Sequence, residues 1–164
     1  MIFVSGFPLP IDSHPLTSTF QVLFYGTLNA FRGVKNKNGN GSAFSKANKL
    51  YKDALRAMKA AAELSSFNYK NKVHLLEAEH NSFKGHFEAA KASYAAAISC
   101  SRSSQLKHEE ALAYELCGLH NMNKTKDKRA AQEMFLKAKE CYTSWGCAIK
   151  VNSINRQLER LSNS

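Results

Sequence analysis

Three groups of residues in this chain have types and spacings that invite a chemical reading. His74, Glu77, Glu79, His80 and His86 crowd one stretch and are metal-ligating types. Zinc sites on a single helix use histidines at i and i+4, so that both rings reach one ion. His74 and His80 are six apart and diverge around a helix, so no metal site is expected and His80 reads as a core-edge histidine. Cys117 and His120 are three apart, neighbours on a helix, as a thiol nucleophile and its base would be. Nothing nearby supplies an oxyanion hole or an orienting acid, so Cys117 is expected to be buried and inert. The third group is basic. Lys46, Lys49, Lys52, Arg56 and Lys59 share one helical arc, with Arg32, Lys35 and Lys37 just before them. That arc would suit an acidic partner or RNA phosphate, against the plainer reading of a solvated outer face.

Other reactive patterns are missing. There is no G-x-x-x-x-G-K-[ST] loop, and the glycines around Gly39 and Gly41 lack its spacing. No H-R-D or D-F-G string is present. The run from Ser99 to Ser104 is explained by a turn and an N-cap without invoking phosphorylation. No catalytic, cofactor-binding or metal-binding residue is therefore expected, and the chain is not expected to be an enzyme.

The elements that must position these residues are helices. Hydrophobic residues make up 44% of 164, enough for one core, and only three are proline. Alanine runs at 60–62 and 95–97 favour helix, and β-branched residues are sparse through the middle. A formal charge of +10 favours acidic proteins, nucleic acid or anionic lipid without choosing among them. Cys100, Cys117, Cys141 and Cys147 form no C-x-x-C pair, which reads as reduced thiols in a cytoplasmic protein. The apolar start, MIFVSGFPLP, lacks a basic leader and is broken by Gly6, Pro8 and Pro10, so neither a secretory signal nor a membrane span is expected.

Self-similarity is the strongest signal. The pattern A-x3-[YF]-x2-A recurs three times: first as Ala47, Tyr51 and Ala54, then as Ala90, Tyr94 and Ala97, and last as Ala131, Phe135 and Ala138. The copies begin 43 and then 41 residues apart. Positions i, i+4 and i+7 share a helical face. Small alanines let a second helix approach, and the ring fills the gap between them. Ala54 and its counterparts are thus expected in a core where helices meet. Each copy has an apolar stripe before it: Phe20, Phe24, Leu28 and Phe31; then Tyr69, Val73, Leu76 and Phe83; then Leu112, Leu116 and Leu119. Breaks are expected at Gly33 to Ser42, Ser65 to Asn68, Lys84 to His86, Ser99 to Ser104 and Asn121 to Thr125. Asn68, Ser104 and Thr125 are the expected N-caps, and Gly146, after Trp145, suits a left-handed C′ position.

The expected architecture is all-α: an α-solenoid of about three helical hairpins (16–66, 68–103, 105–145) with a capping helix (147–161), after an irregular segment 1–15. The segment from Gly85 to Ile98 resembles the tetratricopeptide consensus. Lys72–Glu79, His108–Ala113 and Ala138–Tyr142 through Trp145-Gly146 are together similar to the helical region of large signalling proteins. Those proteins join a kinase-like domain, a predicted ATPase, a GAF domain and often a histidine kinase. The resemblance implies a non-catalytic connector or scaffold in signal transduction, and none of that family's catalytic motifs is present in this chain. Its partner is expected to be a protein or peptide, with an acidic one suited to the charge, and RNA is the alternative. The first helices of each pair are expected to line the groove, through Asn29, His74, Glu77, Asn81, Glu115 and Asn121.

Overall fold

The computed structural model describes residues 3–4, 7–8, 15–35 and 41–163, with side-chain environments for 19–34 and 41–163. Apart from a two-residue antiparallel pairing of Phe3–Val4 with Phe7–Pro8, the described chain is helical. The helices are α1 (Pro15–Lys35), α2 (Gly41–Leu64), α3 (Ser66–Lys84), α4 (Phe87–Ser103), α5 (Lys107–His120), α6 (Lys128–Ser144) and α7 (Ala148–Ser162). Most of the expected irregular segment 1–15, and 36–40 of the expected glycine-rich loop, lie outside the described residues.

Each helix packs on the next in the chain, and α1 also reaches α3, as α3 reaches α5. The alanine-aromatic-alanine sets account for this packing. Ala47, Tyr51 and Ala54 are buried on α2, with Ala54 fully enclosed. Ala90, Tyr94 and Ala97 are buried on α4, and Ala131, Phe135 and Ala138 on α6. Across from them lie Phe24, Leu28 and Phe31 of α1, Val73 and Leu76 of α3, and Leu112 and Leu116 of α5, also buried. Helix α5 is the centre of the molecule, enclosed along every residue from Glu109 to Gly118. At Gly118 it lies against α6, where an added Cβ would stand 2.7 Å from the Phe135 ring. Trp145 is half-buried, its ring 5.2 Å from that of His108.

Turn chemistry sets the helix ends. Gly85 and Gly146 take φ of +83° and +81°, and the residue after each bonds back into the helix just ended (His86 to Asn81 and Cys147 to Tyr142). Gln105 and Lys126 do the same work at φ of +55° and +59° without glycine's freedom. Several expected breaks are helical in part or whole: α1 runs on through Lys35, α2 begins at Gly41, and α3 begins at Ser66, with Ser65 alone between α2 and α3. Ser99 to Ser103 is the last turn of α4 rather than a break, because Ser103 bonds back to the Ser99 carbonyl within a helix that closes at Ser104. Asn121 to Thr125 continues α5 as a π-helical turn instead of a loop. The expected N-caps move with them. Asn68 lies inside α3, Ser104 is a C-cap, and Thr125 ends the π-helical turn by donating to the Asn121 carbonyl at 3.2 Å. Asp127 caps α6 by accepting from the Ala130 amide at 2.9 Å.

Candidate functional site

Two cavities lie on either side of α5. The larger, about 670 Å³, is a groove whose walls are α4 and α6. Its surface is mainly apolar: Phe87, Ala95 and Ile98 come from α4 and Met134 from α6, over Tyr114 and Cys117 of α5. Charged groups stand at its rim. Arg102 donates to Glu110 at 3.0 Å and to the Tyr114 hydroxyl, and Lys137 pairs with Glu133 at 2.6 Å. Burial pushes the Cys117 thiol up to about 11, so it stays protonated near neutral pH and is a poor nucleophile.

The smaller cavity, about 440 Å³, lies among the odd-numbered helices. Arg32 enters from α1, Glu79 from α3, Glu115, Leu116 and Leu119 from α5, and Ser153 and Gln157 from α7. Its two carboxylates are held alike. Tyr94 of α4 donates to Glu79, and Tyr142 of α6 donates to Glu115 at 2.6 Å. Burial, then the neighbouring carboxylate, holds both phenols well above their ordinary range, so they remain donors. Glu115 also pairs with Lys150 of α7 at 2.7 Å. His120 borders both cavities, its Nδ1 2.7 Å from Ser82 Oγ. That serine is fully enclosed, and the pair joins α3 to α5.

A third polar cluster ties α3 to α5. Glu109 accepts from Asn71 and Lys72, and Asn71 also reaches Ser101 at 3.1 Å. Burial alone would raise the Glu109 carboxyl. The hydrogen bond from His108 and the charge and hydrogen bond of Lys72 outweigh it, holding the carboxyl below its ordinary range.

Lys46, Lys49, Lys52, Arg56 and Lys59 are all exposed on α2, on the side away from Ala47, Tyr51 and Ala54. Arg56 pairs with Asp53 at 2.8 Å and Lys59 with Glu77 at 3.0 Å, while Lys46, Lys49 and Lys52 enter no ion pair among the described residues. The six expected groove residues are dispersed. Glu115 lines the small cavity and Asn121 the large one, whereas Glu77 turns to Lys59 of α2, with His74 3.6 Å away. Asn29 and Asn81 are half-buried and border neither cavity. His80 stacks on Tyr51 at 4.0 Å between ring centres and meets Asn48 at 3.2 Å. Among the described residues, no three His, Cys, Asp or Glu side chains converge in a way that could hold a metal ion.

The large groove escapes sequence reasoning because its walls belong to α4 and α6, whose apolar residues read as core. One of the buried acids leaves a faint trace. Glu115 sits in an otherwise apolar stretch, Ala111 to Leu119, where a solvated charge is out of place, whereas Glu79, beside Glu77, His80 and Asn81, gives no such sign.

Compared with family models, with curated proteins and with solved structures, the chain finds no significant match. No described helix is long and apolar enough to cross a membrane.

Proposed function

We propose that this chain is a non-catalytic protein-interaction scaffold, a tetratricopeptide-like solenoid of three hairpins and a cap. It docks an acidic amphipathic helix of a protein partner between α4 and α6. The observation that carries this reading is the 670 Å³ apolar groove floored by Tyr114 and Cys117. Its wall α4, 17 residues long, extends about 25 Å at 1.5 Å per residue, the length of a four- to five-turn helix. Apolar anchors at i, i+3, i+4 and i+7 of such a helix would meet Phe87, Ala95, Ile98 and Met134. The +10 charge of the chain favours an acidic outer face on the partner. The repeat spacing, and the packing of α1 on α3 and α3 on α5, support the solenoid. Similarity to the helical regions of signalling proteins supports a place in signal transduction, beside ATPase, kinase-like or GAF domains.

The test is fluorescence anisotropy with labelled acidic amphipathic helical peptides. Ala95 is exposed on the groove wall, so Ala95→Glu fills the groove without disturbing the core. It is expected to weaken binding at least about tenfold, the loss of one good apolar contact plus a buried charge. Triple reversal of Lys49, Lys52 and Arg56 is expected to change affinity less. The opposite ranking would move the docking site to α2 and favour the reading in which the basic face binds RNA or an acidic partner.

A further inference from the structure

Charges in the small cavity are matched unevenly. Glu115 is saturated, with Lys150 on both carboxylate oxygens, at 3.1 and 2.7 Å, and the Tyr142 hydroxyl on one of them. Glu79 is almost fully enclosed, at 2% exposure, yet it accepts only from the neutral Tyr94 hydroxyl and enters no ion pair among the described residues. Arg32 lines the same cavity and likewise enters no ion pair among the described residues. The amide oxygen of Gln157 is buried there with no donor. A buried carboxylate without a cation and a buried acceptor without a donor are both costly to a fold. Glu79, Gln157 and Arg32 all line this one cavity.

We propose that this cavity binds a small zwitterion of the amino-acid class, a free amino acid or a dipeptide. Its carboxylate lies on Arg32, whose planar donor fork suits a carboxylate. Its ammonium pairs with Glu79. A short apolar side chain rests on Leu116 and Leu119. The volume of about 440 Å³ falls in the lower range of small-molecule sites, enough for one or two residues and too little for a docked helix. The site draws on α1, α3, α5 and α7, so an occupant would tie the first described helix to the last. The proposal stands apart from the groove between α4 and α6, since Ala95→Glu touches none of these residues.

The experiment is isothermal titration of the full chain with alanine, leucine and alanyl-leucine, beside acetyl-leucine (no ammonium) and leucinamide (no carboxylate). A zwitterion is expected to bind and both blocked forms to bind at least about tenfold more weakly, the loss of one charged contact. Arg32→Gln and Glu79→Gln are expected to lower affinity by a similar factor. Ser153→Leu, which narrows the cavity and leaves the charges in place, is expected to abolish binding. If circular dichroism shows that Glu79→Gln unfolds the chain, Arg32→Gln and Ser153→Leu decide the matter. Absence of binding by every zwitterion up to about 10 mM would overturn the proposal. So would equal affinity for the blocked forms, or binding unchanged by Ser153→Leu. Preference for leucine over alanyl-leucine would assign the site to free amino acids, and the reverse to dipeptides.

Discussion

Replacing Gly118 with alanine sets two known effects against each other. In a helix interior, alanine in place of glycine stabilises by about 1 kcal/mol. Opposing it, the new Cβ would stand 2.7 Å from two carbons of the Phe135 ring and 3.2 Å from a third. Carbon atoms pack best at about 3.5–4.0 Å, so the ring or α6 must retreat by roughly 1 Å. Phe135 is fully enclosed and has nowhere to turn. Overpacking of this kind costs about 1–3 kcal/mol. The net expectation lies between no change and destabilisation by about 2 kcal/mol, read as a lower urea midpoint at unchanged slope. A second variant isolates the cause. With Phe135→Ala already in place the ring atoms that the Cβ would meet are gone, so adding Gly118→Ala should be neutral or favourable, a coupling of about 1 kcal/mol or more. A single Gly118→Ala variant stabilised by the full propensity gain would refute the close approach of α5 and α6.

Further outcomes follow from the same geometry. Glu109 is held below its ordinary value of 4.5, so the unfolded chain binds its proton first. Its stabilising contribution is complete above that value and is lost as pH falls through the lower folded value. Urea titrations across the acid range should show a steeper loss in the parent than in Glu109→Gln. Among the thiols, Cys117 and Cys141 are buried and raised by that burial. An alkylating reagent near neutral pH, followed by mass spectrometry, should therefore modify half-buried Cys100 and Cys147 first, and early labelling of Cys117 would contradict its placement. Gln105 holds a left-handed backbone at φ +55°. Gln105→Gly is expected to raise stability by up to about 1 kcal/mol in thermal or urea unfolding, and a clear loss would argue against that turn.

What could be read from the residues alone was mostly what helical periodicity encodes. Ala90, Tyr94 and Ala97 recur at i, i+4 and i+7, a spacing with no use except on one buried face, and they lie buried on α4. The same reading holds for Ala47, Tyr51 and Ala54 on α2, where Ala54 has no exposed surface. Gly146 was legible because a glycine just past a helical pattern has a conformational reason to be there. Capping was less legible. Ser104 and Thr125 have the right side chains, but so do many residues inside helices, and only the carbonyls around them settle which turn they close. The buried ions were hidden for a different reason. Lys72, Glu109, Glu115 and Lys150 are types that normally meet water, and their partners lie 35 to 37 residues away. The large groove depends on how far α4 and α6 stand apart over α5, a distance that no single helix specifies.

Docking between α4 and α6 can be read by amide hydrogen exchange with an acidic amphipathic helical peptide bound at saturation. New protection is expected on α4 and α6, from Phe87 to Ser103 and from Lys128 to Ser144, with α2 unchanged. Protection confined to α2, around Lys46 to Lys59, would contradict it.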